Sequence, residues 1–136
     1  MSRFLARTIL ATAAVAGLSV GSAQASCSEN SLKGSWQFYA LATDDSVTTC
    51  RITIDKSGAV EPATCSSITG ASQTDVNLIS GSLSLSNRPN CAYTGTLNLG
   101  GETNTIRLTL AQDKSIANGY GSYSGGLFMF SLTKVK

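Results

Sequence analysis

From Gly34 onward, apolar and polar residues alternate with a period of two in short runs, and no stretch carries a helical repeat. A period of two marks strands buried on one face. Residues 34–42 set Trp36, Phe38 and Ala40 on one side and Gln37, Tyr39 and Leu41 on the other. Residues 48–55 turn Cys50, Ile52 and Ile54 inward, and residues 59–64 form a short third strand with Pro62 at an edge or bulge. Residues 66–74 read as loop. Residues 76–86 are extended, with Leu83 and Leu85 inward and Gly81 at a bend. Residues 91–99 place Cys91, Tyr93, Gly95, Leu97 and Leu99 on one face. Residues 104–111 turn Ile106, Leu108 and Leu110 inward, residues 115–124 form a weaker strand, and residues 127–135 align Phe128, Phe130 and Leu132.

Turn chemistry punctuates these runs: Ser57-Gly58, Asn87-Arg88-Pro89-Asn90, Gly100-Gly101, Asp113-Lys114 and Gly125-Gly126. A meander of eight or nine strands with one apolar face must bury that face. The predicted fold is all-β, an eight-stranded antiparallel up-and-down barrel, with a β-sandwich as the alternative. Eight strands leave an interior just wide enough for side chains or one small ligand. Residues 29–33 predict a single helical turn, capped by Ser28 or Asn30 and placed to plug one barrel end.

The first 25 residues follow another logic. Arg3 and Arg7 precede an apolar, Ala-rich run over residues 8–20, and Ala23-Gln24-Ala25 supplies small residues for a signal peptidase. This pattern predicts a secretory signal cleaved after Ala25, leaving residues 26–136 as one barrel domain in the periplasm or the external medium. The run is shorter than the roughly 20 residues a membrane span needs. Removing Arg3 and Arg7 leaves eight basic against eight acidic side chains. A balanced chain offers no basic stripe for nucleic acid and no polybasic tail for lipid.

Cys27, Cys50, Cys65 and Cys91 all follow the leader, and an even count behind a signal reads as disulfides. No C-x-x-C occurs, which argues against both a structural zinc and a redox pair. Of the three possible pairings, Cys50–Cys65 with Cys27–Cys91 is favoured, because the first two flank the hairpin at residues 55–58. A two-residue loop would set Cys50 opposite Cys65. The apolar pattern prefers a three-residue loop with Gly58 left-handed, which sets Val60 beside Ile54 and Cys50 opposite Thr64.

The sequence contains no His, which removes Ser-His-Asp and Cys-His catalysis and imidazole metal sites. Asp44-Asp45 is the only adjacent carboxylate pair, and its place between two strands reads as a turn. No metal and no cofactor is expected, and the chain is not expected to be an enzyme.

Leu32-Lys33-Gly34-Ser35-Trp36, a turn and then G-x-W opening an alternating strand, resembles the start of calycin-type barrels: lipocalins, avidins and small bacterial metalloprotease inhibitors. The resemblance implies that Gly34 permits close packing and that Trp36 closes the barrel floor. It also implies a Cys pair in the early strands, where Cys50 and Cys65 fall. In those inhibitors the free N-terminus enters the protease cleft, a place held here by residues 26–30, which a bridge at Cys27 would tether. The chain has one Trp, whereas avidin-like biotin binding uses several.

The function expected from these features is binding: a small exported barrel that holds a small ligand or inhibits a hydrolase through its loops. The alternative is a structural or interaction protein of the cell envelope with no pocket. Trp36, Tyr93, Tyr120, Tyr123 and Phe128 are the candidate ligand-binding residues, as aromatics that could line a barrel interior or mouth.

Overall fold

The computed structural model describes residues 26–136, so the leader assigned to residues 1–25 lies outside the described residues. A 3-10 turn, Glu29–Leu32, precedes nine strands: β1 Gly34–Ala42, β2 Val47–Ile54, β3 Ala59–Val60, β4 Ala63–Thr69, β5 Ser72–Asn87, β6 Ala92–Leu99, β7 Glu102–Leu110, β8 Ile116–Tyr123 and β9 Gly126–Lys134. Every pairing is antiparallel. β1 bonds both β2 and β9, which closes the sheet into an eight-stranded up-and-down barrel. The two-residue β3 is the extra strand. It lies between β2 and β5, as β4 does.

Closure leaves no free sheet edge and one shared interior. The alternating residues fill it. Trp36, Phe38, Ala40, Ile52, Ile54, Leu83, Leu97, Ile106, Leu108, Phe130 and Leu132 are all buried in one cluster. Phe38, Phe128 and Phe130 stack in tilted contact, with centroids 5.6 and 5.9 Å apart. Both disulfides form with the favoured pairing, Cys27–Cys91 and Cys50–Cys65.

Three local expectations need correction. Residues 66–74 are not a loop, because β4 runs to Thr69 and β5 starts at Ser72, joined only by residues 70–71. This polar hairpin has no apolar alternation to betray it, but its pairing is continuous from Ala63↔Leu78 to Thr69↔Ser72. Cys50 does not face Thr64. The three-residue loop forms as expected, with Gly58 at φ 85° and Ile54 opposite Val60. The register then slips one residue past Glu61-Pro62, so that Thr49 faces Ser66 and the Cys50 and Cys65 Cα atoms lie 4.5 Å apart. Gly81 does not mark the bend in β5. The pairing with β6 is irregular between Leu78 and Ser80 and again between Leu85 and Asn87, and Gly81 instead leaves room for the Leu97 side chain and the Thr96 carbonyl.

Candidate functional site

The two ends of the barrel differ. Connections 55–58, 88–91 and 111–115 lie at the end where β1 begins, and connections 43–46, 70–71, 100–101 and 124–125 lie at the other. The first end is closed by the 3-10 turn, whose Leu32 is fully buried. Trp36 Nε1–H donates to the Leu32 carbonyl at 2.7 Å, and the Tyr93 hydroxyl donates to the Ser28 carbonyl at 2.7 Å. Glu29 accepts from the Leu85 N–H at 2.9 Å, and Cys27–Cys91 ties the segment covalently. Burial raises the Tyr93 pKa, which keeps the phenol a donor. Trp36 and Tyr93 are therefore committed to the stopper.

The opposite end is open. A cavity of about 170 Å³ enters it, lined by Ala40 and Ala42 of β1, Ser46 and Thr48 beside and on β2, Leu99, Glu102 and Asn104 of β6 and β7, and Tyr123 and Phe128. Below it, Phe38, Cys50, Ile52, Leu78 and Leu97 meet with no room for water. The mouth is a shallow cup above a packed core. Tyr123 and Phe128 form its aromatic wall, with ring centroids 6.3 Å apart.

The polar groups of the cup are few and placed. Asn104 is buried, and its amide donates to the carbonyls of Leu97 (3.2 Å) and Glu102 (3.0 Å). Glu102 Oε1 accepts from the Ser124 N–H. The buried Tyr123 hydroxyl has no hydrogen-bond partner among the described residues. A buried hydroxyl without a partner forfeits its hydration, which makes it a candidate ligand contact. On the rim, Asp44 accepts from both the hydroxyl and the N–H of Ser46, which lowers its pKa. That pair is a turn, as the sequence suggested.

The five aromatic candidates thus divide three ways: Trp36 and Tyr93 in the stopper, Tyr123 and Phe128 at the mouth, and Tyr120 outside. Tyr120 is 57% exposed, because strand parity turns it away from Tyr123. It joins a cross-strand row on the outer wall in which Leu41 faces Met129, Met129 faces Tyr120, and Tyr120 faces Arg107. Aromatic character does not point to Asn104, but parity does: it shares the face of Ile106, Leu108 and Leu110, a polar residue on an apolar face.

The fold and its open cup define a class, the small closed antiparallel up-and-down barrel. Among solved structures, the chain is similar to a redesigned β-barrel, mFAP1, bound to DFHBI, with a TM-score of 0.59 and 11% identity over 82% of this chain and 99% of that one. It is also similar to a second redesigned β-barrel, b11L5F_LGL, with a TM-score of 0.57, 12% identity, and coverage of 83% and 96%. A third is a de novo designed fluorescence-activating β-barrel, with a TM-score of 0.56, 11% identity, and coverage of 76% and 93%. At this identity the likeness shows the fold alone. No protein-family model matches the chain, and no curated protein matches it in sequence.

Proposed function

We propose that this is an exported, non-catalytic binding barrel that holds one small ligand in its open mouth. The observation that carries the reading is the asymmetry of the ends: one is stoppered by Leu32 and Trp36, and the other opens on a cup walled by Tyr123 and Phe128. A cavity of about 150 Å³ accepts a benzene-sized guest, so this cup suits a single ring. The redesigned barrel bound to DFHBI supports the reading by showing that a barrel of this shape can hold a small molecule. Two disulfides fit an oxidising, exported environment. The G-x-W opening, with Trp36 on the barrel floor, supports a calycin-like relationship. A hydrolase-inhibiting role would have to use the open-end loops, since Cys27–Cys91 tethers the N-terminal segment.

The test is an amide NMR titration of the oxidised protein with benzyl alcohol, beside native mass spectrometry for a co-purified adduct. Shifts at Ala40, Thr48, Asn104, Tyr123 and Phe128 are expected, and their loss in Ala40→Phe, which fills the cup. The outer row supports a second reading, an envelope interaction protein, because Leu41, Tyr120 and the 72% exposed Met129 form an apolar strip on the wall. Shifts confined to that strip would favour it over the mouth.

A further inference from the structure

The charges of this barrel are sorted by height. The carboxylates at the open end are Asp44 and Asp45 in the β1–β2 connection, Asp75 on the β4–β5 hairpin, and Glu102 at the start of β7. No Lys or Arg of the described residues lies at that end. Lys33, Lys56, Arg88, Lys114, Lys134 and Lys136 are all at the stoppered end, where they outnumber Glu29, Asp55, Glu61 and Asp113, and Arg51 and Arg107 sit exposed on the outer wall. A chain whose described residues carry balanced charge therefore presents an acidic mouth and a weakly basic floor. Such a field draws cations to the mouth and repels anions.

The cup itself has the same preference. Glu102 is the one charged side chain lining it, and its Oε2 takes no hydrogen bond among the described residues. The partnerless Tyr123 hydroxyl can donate or accept a hydrogen bond, so it admits a ligand of either sign and leaves the choice to Glu102. The Tyr123 and Phe128 rings line the cup, and the π face of an aromatic ring attracts a cation and not a carboxylate.

We propose that the mouth selects a small organic cation, a protonated amine carried on a single ring, with its ring against the wall formed by Tyr123 and Phe128 and its ammonium at Glu102. This rests on the mouth-binding reading and names the class of ligand that mouth takes. Three probes of matched shape separate the two claims: benzylammonium, benzyl alcohol and benzoate, titrated by amide NMR into the oxidised protein at pH 7 and low salt. Benzylammonium is expected to bind at the mouth about tenfold more tightly than benzyl alcohol, the size of one charge-assisted contact, with benzoate weakest. Added salt should shrink that preference in the unaltered protein, so the result does not depend on a variant folding. Glu102→Gln should bring the ratio close to one, whereas Lys56→Gln at the closed end should leave it intact. Benzyl alcohol or benzoate binding the mouth as tightly as benzylammonium would overturn the cation preference and leave the mouth reading standing. If none of the three reaches the mouth at millimolar concentration, both fall together.

Discussion

Lys134 Nζ stands 5.1 Å from the centroid of the Trp36 ring. The two residues belong to the last and first strands, paired Trp36↔Lys134 in the closing register. Their contact therefore joins the ends of the described chain at the seam that makes the sheet a barrel. Trp36 also donates to the Leu32 carbonyl, so one side chain links the seam to the stopper.

The first prediction follows from that seam. Trp36→Ala removes the largest fully buried side chain and a buried hydrogen bond, and should cost about 3–5 kcal/mol. Lys134→Met keeps the aliphatic stem over Gly34 and removes only the charge, and should cost about 0.5–1 kcal/mol. Urea denaturation measures both. Trp36 is the sole Trp, so its emission reports unfolding in the Lys134 variant, and far-ultraviolet circular dichroism serves for the other. Equal costs for the two would mean that the ring's packing and hydrogen bond contribute nothing beyond the cation contact.

Gly95 tests the tightness of the wall. A Cβ at this position would collide with the Ser82 carbonyl oxygen of the neighbouring strand, and backbone cannot swing aside as a side-chain tip can. Gly95→Ala is expected to cost about 1–3 kcal/mol or more, the range of core overpacking. At Gly34 an added Cβ meets the flexible end of Lys134 rather than backbone, though φ there is 132°. A thermal melt of Gly95→Ala that coincides with the parent would show that β5 and β6 are farther apart than their register implies.

Much of this was legible in the sequence because a barrel has one inside. Wherever a strand lines it, parity reveals the core, and Trp36, Phe38, Ile52, Leu97, Ile106 and Phe130 all read correctly. Parity fails where both faces meet water. The hairpin at residues 63–78 rises past Gly100, whose N–H bonds the Asn77 carbonyl, so its outer half carries Ser, Thr and Gln on both faces and has the pattern of a loop. The site was legible only in part, for a related reason. Aromatic character selected Tyr120 and Tyr123 together, yet residues an odd number apart on a strand point to opposite faces. Nothing in composition separates the stopper from the mouth: that depends on Trp36 finding Leu32 and Tyr93 finding Ser28, contacts that only the closed fold makes.

Acid sensitivity should come from three repeated turns. Asp44, Asp55 and Asp113 each accept from the hydroxyl and N–H of the Ser two residues on, and each has its pKa lowered by that Ser hydroxyl first. A carboxyl whose folded pKa lies below its unfolded one binds fewer protons folded than unfolded. Its contribution is fully present above the unfolded value of about 3.9 and is lost as pH falls through the folded value. The melting temperature should therefore hold from neutrality to about pH 5 and fall below about pH 4. The triple variant Asp44→Asn, Asp55→Asn, Asp113→Asn should flatten that acid limb. An acid limb as steep as the parent's would assign the loss to other carboxylates.

The Tyr123 hydroxyl separates stability from function at one atom. It is buried without a partner among the described residues, a state that costs the fold about 1–3 kcal/mol of desolvation. Phe in its place would keep the ring packed on Phe128 and remove the cost. Tyr123→Phe is therefore expected to raise the melting temperature, or at least not lower it, while weakening benzylammonium at the mouth. The opposite sign, a lower melting temperature with ligand affinity unchanged, would mean that the hydroxyl serves the barrel alone. A group that costs stability in the empty barrel and recovers a partner on binding gives a reason for a polar atom at the boundary of an apolar core. The paired measurement of melting temperature and affinity on this one variant decides between the two roles.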